Sequence, residues 1–500
     1  MTKTEALEKL ASFEKINFSL GHAMGLIYYD ASTVAPKDSL KARSITLSEL
    51  SRMSYELTTS KETCEMIETL MSYKDELDDV TKRKVTELYR EYDRTRRIPV
   101  DEYIAWTNIQ NEADAVWHEA KEKNDYAMFE PYLQKMFDTV KRIAKYIDPD
   151  KDPYETMLDM YERGLTVKTC DEFFALLRAK LVPLIKKVAA NADKVNDEKL
   201  KQKFDVSKQR EFSDFIMDVM CIDKKRCIIG ETEHPFTTNF SKYDVRITTH
   251  YKEDWLTSSL YSVVHEGGHA LYELHTGDEL QFSNLGGGVS MAIHESQSRF
   301  YENIIGRSRE FCAILFGFLK EKYPTELEGV TDEEFYRMVN KSGPSLIRTE
   351  ADELTYCLHI MIRYELEKRM FAGTLNAHDM PEAWNALYKE YLGLDVPDDK
   401  RGVLQDSHWS NGNIGYFPSY AIGSAYGAQY LNEMNKEFDV YGAVKSGNLS
   451  KINAWFEKKI WKYGCMKDPV ELFESVCGKF DPEYFVDYLT KKFKDVYDLA

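Results

Sequence analysis

The sequence lacks the features that define several large protein classes. No apolar run approaches the roughly 18 residues that a membrane-spanning helix needs. The N-terminal stretch carries Glu5, Glu8 and Glu14, where a secretory signal would need an unbroken apolar core. Positive charge is in deficit, since 84 acidic residues outnumber 66 basic ones, and a net charge of −18 argues against nucleic acid as the main partner. We therefore predict a cytoplasmic protein that binds neither membranes nor nucleic acid.

Paired cysteines are missing as well. The eight cysteines are scattered, none forms a CxxC pair, and the closest two, Cys221 and Cys227, match no common zinc-binding spacing. Free thiols in a reducing compartment are therefore expected. No internal repeat or low-complexity segment is evident, and 43% hydrophobic residues in a chain of 500 provide for a large core.

Helical periodicity dominates what is present. Apolar residues recur at i, i+3 and i+4 in stretches that include residues 100–146, 253–275 and 289–322. The exception is residues 224–251, where β-branched and aromatic residues alternate with polar ones. We therefore predict a mainly α fold with a small β-sheet just before the helix of residues 253–275. An edge strand there could hold an extended peptide by main-chain hydrogen bonds, and an ordinary structural hairpin is the alternative.

The stretch VVHEGGHALYELH, residues 263–275, contains three histidines that could bind a metal ion. On a helix, His265 and His269 lie one turn apart on the same face, so their ring nitrogens can converge on one ion. Glu266 lies roughly 100° around the helix from His265, where a general base for the attacking water belongs. The third ligand is either His275, as in the metzincin pattern HExxHxxGxxH, or a residue from elsewhere in the chain.

A later helix is the better source of the third ligand. The metzincin pattern uses a glycine to turn the chain three residues after the second histidine, but Tyr272 occupies that position. The helix therefore continues and carries His275 away from the ion. A glycine turn and a new helical pattern follow, and Glu295 comes 26 residues after His269, a spacing that suits a helical hairpin with a His2Glu site.

Two further acids and two glycines bear on this site. Glu302 lies two turns past Glu295, too far to share the ion, and Glu273 is better placed as a supporting or surface acid. Gly267 and Gly268 each cost about 1 kcal/mol relative to alanine inside a helix. We interpret them as a bare surface on which a substrate backbone approaches the metal, and close packing of a neighbouring helix is the alternative.

Six motifs in order across residues 234–409 resemble those of the carboxypeptidase Taq family of metallocarboxypeptidases. They are HPF at 234–236, DxRxT at 244–248, HExxH at 265–269, HESQ at 294–297, IRxxAD at 347–352 and GxxQDxHW at 402–409. One departure lies near the start, where YYDASTVAP at 28–36 matches the family's WDxxTxMP stretch only in part.

The resemblance implies a mostly helical fold with a deep active-site groove. It implies a single domain over residues 1–500, in which N-terminal helices of about residues 1–100 partly cover the groove and the catalytic core spans about residues 205–430. It further implies a homodimer that removes C-terminal residues from peptides with a free C-terminus. One divalent metal ion, zinc in the first place or cobalt, would be held by His265, His269 and Glu295.

An exopeptidase must also recognise the free carboxylate of its substrate, and a guanidinium group does so with two parallel hydrogen bonds. Arg348 of the IRxxAD motif is the first candidate for this role, and Arg246 of the DxRxT motif is its competitor. Alternatively, each arginine forms a buried ion pair, with Asp352 or with Asp244.

The stretch QDSHWSNGNIGYFPSYAIG resembles, more distantly, the segment of related helical zinc peptidases in which a histidine and a tyrosine stabilise the oxyanion. His408 and Tyr420 are the candidates here, and Tyr416 could replace Tyr420. A packed aromatic wall is the alternative. His234 of the HPF motif would either bind substrate or brace the sheet.

Two other functions compete with a carboxypeptidase. An endo-acting zinc oligopeptidase of the same helical class would share the metal centre and differ in a groove that stays open beyond the cut. A non-catalytic peptide-binding scaffold is less favoured, because a structural metal site has no need of a general base at Glu266.

Overall fold

A computed structural model describes residues 1–499 of the chain. Within that range it has twenty α-helices: α1 Lys3–Thr33, α2 Leu40–Thr59, α3 Lys61–Ser72, α4 Asp79–Arg97, α5 Val100–Lys123, α6 Tyr126–Ile147, α7 Pro153–Tyr161, α8 Val167–Ala189, α9 Val206–Val219, α10 Leu256–Leu274, α11 Met291–Arg299, α12 Arg309–Lys322, α13 Asp332–Val339, α14 Tyr356–Phe371, α15 Met380–Leu392, α16 Phe417–Asn435, α17 Val440–Lys445, α18 Ser450–Lys459, α19 Pro469–Cys477 and α20 Glu483–Val496. The same residues contain three strands, β1 Cys227–Glu231, β2 Thr237–Ser241 and β3 Asp244–Thr249.

Two helices predicted as continuous are interrupted, each for a local reason. The stretch 100–146 divides into α5 and α6 at Asn124, which adopts a left-handed conformation with φ 54°. Such a residue ends a helix because its amide bonds back to the preceding turn. The stretch 289–322 divides where α11 passes into a wide π-helical turn, Phe300–Ile305, before α12 begins.

The sheet lies directly against α10. Its strand order is β1-β3-β2, with β1 parallel and β2 antiparallel to β3. Val245 and Ile247 of β3 are fully buried, as the alternating pattern of that strand requires. On β2 the side chains of Thr237 and Asn239 reach Glu266 and Glu273 of α10. The predicted mainly α fold, with a small sheet beside the helix that carries the two histidines, is confirmed.

The buried apolar residues form two separate clusters. The larger extends through the body of the molecule from α5 to α20. The smaller belongs to the first helices, and its members include Ala6, Leu10, Met66, Leu70 and Val85 from α1, α3 and α4. The N-terminal helices therefore have a core of their own, whereas the division into a covering N-terminal part and a catalytic core stays a prediction.

No helix within residues 1–499 combines the length and the apolar composition that crossing a membrane requires.

Candidate active site

Three predicted ligand side chains meet between α10 and α11. One ligand atom each from His265, His269 and Glu295 lies within 4.8 Å of the others. Oε2 of Glu295 is 3.7 Å from Nε2 of His265 and 3.6 Å from Nε2 of His269. Two imidazole nitrogens and one carboxylate oxygen are a donor set that suits a divalent first-row metal ion, and three protein ligands leave positions for water and substrate.

The outer nitrogen of His265 is held by an acid. Nδ1 of His265 donates to Oε2 of Glu302 at 2.9 Å, which leaves Nε2 as the free lone pair facing Glu295. Burial lowers the pKa of His265, but the adjacent carboxylates of Glu295 and Glu302 outweigh it and raise that pKa above the ordinary value. Glu302 lies outside the group of three convergent side chains, and its hydrogen bond orients the His265 ring.

The outer nitrogen of His269 is held by a longer chain of groups. Nδ1 of His269 lies 2.6 Å from Nδ1 of His294, and Nε2 of His294 lies 2.6 Å from Oε1 of Glu273. The amide of Asn239 donates to the other oxygen of Glu273 at 2.5 Å. If Nε2 of His269 binds a metal, its Nδ1–H donates to His294, and His294 donates to Glu273. Every group in this series of hydrogen bonds, from His269 through His294 to Glu273, then has one consistent protonation state.

Glu266 lies beside His265, His269 and Glu295, which we call the triad, and has a fixed orientation. The hydroxyl of Thr237 donates to its Oε2 at 2.5 Å, and the side chain of Glu266 is almost completely buried. Burial raises the pKa of the Glu266 carboxyl above its ordinary value, although His265 and Thr237 act in the opposite direction. A buried carboxylate with one oxygen engaged and the other free has the properties of a general base.

The two glycines of the motif pack against protein, which corrects our interpretation of them as a substrate surface. A Cβ atom added to Gly268 would lie 2.7 Å from Cα of Ser298 and 2.8 Å from the carbonyl oxygen of Gln297, both on α11. A Cβ atom on Gly267 would lie 2.8 Å from Cε of Met220. Gly268 therefore brings α10 and α11 into backbone contact, and the alternative interpretation, close helix packing, is the right one.

Residues far along the chain fix α11. Glu162 accepts hydrogen bonds from the Ser290 hydroxyl at 2.9 Å and from the Ala292 amide at 3.0 Å, at the N-terminus of this helix. Burial raises the pKa of Glu162 to about 7. Near the other end, the indole of Trp461 donates to Gln297 at 2.9 Å. These contacts set the position of the helix that carries Glu295.

Arg348 belongs to a buried ion-pair cluster. Its Nε and Nη2 lie 2.9 and 2.8 Å from Oδ1 of Asp406, while Arg363 donates to Oδ2 of Asp406 at 2.7 Å. Nη1 of Arg348 faces the hydroxyl of Tyr356 at 3.4 Å. An ion pair at Arg348 was one of our alternatives, but the partner is Asp406 and not Asp352. Asp406 has one oxygen for each of two arginines, so it orients both.

Arg246 lies on the opposite side of the sheet from α10. It forms a two-point ion pair with Asp244, at 2.9 and 2.8 Å, which is the partner stated in the alternative, but the pair is only half-buried. Its guanidinium lies 4.9 Å from the ring centres of both Tyr29 and Phe240. Arg246 is therefore near α1. Arg348 is instead connected to the triad, because Tyr356 contacts both Arg348 and Arg299, and Arg299 donates to Glu295.

His408, Tyr416 and Tyr420 form one aromatic cluster. Nε2 of His408 lies 3.3 Å from the hydroxyl of Tyr420, and the His408 ring stacks on Tyr416 at 5.5 Å. Burial lowers the pKa of His408 to about 4, so its imidazole is neutral at physiological pH. Tyr420 also meets the ring of Tyr356 edge-on at 6.5 Å, which joins this cluster to Arg348.

Two histidines lie apart from the triad. His275 is the residue at which α10 ends, and its Nδ1 lies 2.7 Å from the carbonyl of Leu271 while its ring packs on Trp461. His234 is exposed on the turn that precedes β2, where its carbonyl accepts a hydrogen bond from Thr232. The structure places neither beside Glu266.

Sequence reasoning did not identify several supporting residues. They are Thr237, His294, Arg299, Tyr356, Arg363 and Asp406. His294 and Asp406 lie inside the HESQ and GxxQDxHW motifs, so the motifs themselves are the signal that could have singled them out. Thr237 directly follows HPF, and no spacing rule connects it to Glu266.

The chain is similar to known proteins over nearly its whole length. A family model described as Carboxypeptidase Taq (M32) metallopeptidase matches residues 9–493. Carboxypeptidase 1 of Bacillus subtilis is 36% identical over 98% of this chain and 99% of its own length. Thermostable carboxypeptidase 1 of Pyrococcus furiosus is 36% identical over 97% of each chain. A solved M32 carboxypeptidase from Deinococcus radiodurans R1 matches with a TM-score of 0.95 at 34% identity, over 99% of this chain and 100% of that one.

Proposed function

This chain belongs to the carboxypeptidase Taq (M32) family of metallopeptidases, and from that premise we propose that it hydrolyses the last peptide bond of substrates with a free C-terminus. The proposed ligands of its divalent ion, zinc or cobalt, are His265, His269 and Glu295. The observation that carries the proposal is the convergence of these three side chains directly beside the buried carboxylate of Glu266.

The proposed chemistry assigns the proton transfers to Glu266. A divalent ion in the site would supply a Lewis acid for the scissile carbonyl and lower the pKa of a water molecule. Glu266 accepts the proton of the attacking water at Oε1, because Thr237 engages Oε2. It then donates that proton to the nitrogen of the departing amino acid. Its raised pKa makes it a stronger base than an exposed glutamate.

His408 and Tyr420 are proposed to stabilise the carbonyl oxygen as negative charge develops on it. In the tautomer with the proton on Nε2, His408 donates to the Tyr420 oxygen, 3.3 Å away, and leaves the phenol hydrogen free for the substrate. Tyr416, stacked on His408, would take this role if Tyr420 does not. Donors aimed at an oxyanion typically contribute about 3–4 kcal/mol to the transition state.

Arg348 is proposed to bind the C-terminal carboxylate. Asp406 holds its Nε edge, and the Nη1 side is directed toward Tyr356 and the triad. Arg246 is the second choice, because it lies on the opposite side of the sheet from α10, beside Tyr29 and Phe240. His234 is proposed to contact substrate at the mouth of the groove. It is exposed and lies three residues before Thr237, in the loop that leads into β2.

Location and assembly are further parts of the proposal. The eight cysteines are unpaired in the described residues, which supports a reducing compartment and hence the cytoplasm. We also propose that the protein forms the homodimer that the family resemblance implies.

A pair of peptides tests the exopeptidase assignment against an endo-acting oligopeptidase. We expect cleavage of a short peptide with a free C-terminus and little cleavage of its C-terminally amidated twin, because the amide removes the charge that Arg348 binds. Mass spectrometry of the products measures both. Equal cleavage of the two peptides would show that the enzyme is an endopeptidase.

The control for chemistry is Glu266→Gln, which keeps the shape of the side chain and removes its basicity. We expect it to retain bound metal and to lose at least about 100-fold in kcat, as removal of a general base does. Full activity of this variant would refute the proposed proton path. A wild-type protein that binds metal and cleaves no peptide would instead favour the scaffold alternative.

A further inference from the structure

We propose that the cavity between α1 and β2 is a subsite for one large apolar or aromatic side chain of the peptide, about three residues before the scissile bond. This inference rests on the proposed function, because it requires a peptide that is cut beside Glu266. It adds a substrate preference upstream of the cut, at a place distant from Arg348.

The cavity continues the path that a peptide would take along β2. Among the described residues β2 pairs with β3 along one edge only, so its other edge can receive a strand. Thr237 of β2 contacts Glu266, while Thr238, Asn239 and Phe240 line the cavity. Thr237 and Phe240 are three strand residues apart, which is about 10 Å. The cavity therefore faces the third residue upstream of the cut.

The direction of the peptide follows from the site that binds its C-terminus. Arg348 approaches the triad from the side of Glu295, because Tyr356 contacts both Arg348 and Arg299, and Arg299 donates to Glu295 at 2.7 Å. The upstream residues must leave on the other side, toward the end of β2 that contains Phe240. A peptide in this direction runs antiparallel to β2, the arrangement in which hydrogen bonds are perpendicular to the strands.

Five aromatic rings line the cavity, which has a volume of about 260 Å³. Phe13, Phe18 and His22 come from α1, Phe240 from β2 and Phe282 from the loop before α11. Their ring centres are 4.9 Å apart for Phe18 and Phe282, and 5.5 Å apart for His22 and Phe240. Aromatic walls favour edge and offset contacts with another ring. The wall also contains polar side chains such as Glu14, Asn17 and Asn284, and the volume exceeds the roughly 150 Å³ in which an apolar cavity takes benzene.

Phe282 is a strained residue at this cavity. Its φ is 62°, in the left-handed region that large side chains rarely adopt, and the residue is 51% exposed. An exposed aromatic ring on a strained backbone is costly unless it has a use, and such positions concentrate at ligand-binding sites. An incoming apolar side chain would cover the exposed part of this ring.

Gly21 leaves the cavity open on the side of α1. A Cβ atom added to Gly21 would meet nothing within 4 Å, although glycine weakens the middle of a helix. Gly21→Leu therefore places an apolar side chain where the substrate side chain would go. Gly317 of α12 also has open space around it and is remote from the site, so Gly317→Leu is a matched control.

The test measures kcat/KM for acetylated pentapeptides that end in the same leucine. Phenylalanine is placed in turn at the second, third and fourth residue before the scissile bond and compared with alanine there. We expect wild type to prefer phenylalanine by about 10-fold at the third residue, the size of effect that burial of an aromatic ring produces. Gly21→Leu and Phe282→Ala should each bring this ratio close to 1, and Gly317→Leu should retain it.

Three results would overturn the subsite. One is a wild-type ratio near 1 at all three positions, and another is an unchanged ratio in both Gly21→Leu and Phe282→Ala. The third is an unchanged ratio together with a change of oligomeric state in Gly21→Leu, which would make the cavity a contact between copies of the chain. Failure of metal-loaded wild type to cleave any of the peptides would instead contradict the proposed function.

Discussion

At the scale of single residues, the two histidines of the proposed metal centre differ in how their outer nitrogens are held. His265 donates directly to the carboxylate of Glu302, whereas His269 reaches the carboxylate of Glu273 through His294. Glu302 is itself held by Arg299 at 3.2 Å. The orientation of His269 therefore depends on a longer series of hydrogen bonds, through His294 and Glu273. Each of these residues can be replaced without changing a proposed ligand.

Glu273→Gln tests this dependence. The substitution preserves size but removes the charged acceptor for His294, so His269 loses its fixed tautomer. We expect metal affinity to fall by about 10- to 100-fold, the usual effect of breaking such a support. Competition with a chelator measures the affinity directly.

His275→Ala is the matched control on the same helix and should retain its metal, since His275 bonds only to the backbone of Leu271. Glu295→Ala should lose most of its metal. Retention by Glu295→Ala together with loss by His275→Ala would restore the metzincin interpretation, and wild-type affinity in Glu273→Gln would refute the role of the chain.

At the scale of elements, the contact between α10 and α11 determines the distance between the histidine pair and Glu295. Gly268 makes that contact backbone to backbone, with Ser298 and Gln297 opposite. Gly267 differs, because what opposes it is the flexible end of Met220. Adjacent glycines in one motif therefore face different constraints.

Gly268→Ala and Gly267→Ala form a matched pair for this contact. We expect Gly268→Ala to force the two helices apart, with a loss of about 1–3 kcal/mol in unfolding free energy and weaker metal binding. Gly267→Ala should change both much less, because Met220 can adopt another rotamer and alanine favours the helix. Thermal unfolding and metal titration measure the two effects. Equal effects of the two substitutions would show that the close approach at Gly268 is not decisive.

Local spacing was enough to predict that His265, His269 and Glu295 converge, as they do in the structure. His265, His269 and Glu266 follow from one helix, and Glu295 follows from a hairpin of two. The predicted role of Gly268 as a substrate surface was wrong. A glycine on a helix surface allows close approach by a substrate or by a neighbouring helix, and the sequence does not distinguish the two. The partner of Arg348 was missed because Asp406 lies 58 residues away in the chain and only the tertiary fold brings them together.

At the scale of the whole molecule, charged residues attach the N-terminal helices to the body. Arg83 of α4 and Arg163 donate to the same oxygen of Asp468, at 2.7 and 2.8 Å, and Glu87 of α4 also pairs with Arg163. Partial burial raises the pKa of Asp468, but the hydrogen bonds from Arg83 and Arg163 outweigh it and hold that pKa well below its ordinary value. The charged form of Asp468 is therefore stabilised by folding.

Asp468→Asn should loosen the N-terminal helices without disturbing the larger core. We expect a loss within the roughly 0.5–3 kcal/mol range of most single substitutions, and faster proteolysis within residues 1–97. Because the folded pKa is depressed, this contribution is present above the ordinary pKa of an aspartate and is lost as the pH falls through the folded value. High salt should reduce it.

The control for this cluster is Asp75→Asn, which removes an exposed partner of Lys82 on the same N-terminal unit. It should leave proteolysis unchanged, as exposed ion pairs contribute little. Cleavage of Asp468→Asn at the wild-type rate would show that apolar contacts, and not the charged cluster, hold these helices in place.

The hydrogen bond from Trp461 to Gln297 has a consequence for the order in which the molecule is completed. His269 and Glu295 are 26 residues apart and leave the ribosome close together, but Trp461 follows Gln297 by 164 residues. The proposed ligands are thus all synthesised long before Trp461, the residue that anchors α11 through Gln297. Affinity for metal should therefore increase late in translation, when the C-terminal helices reach α11.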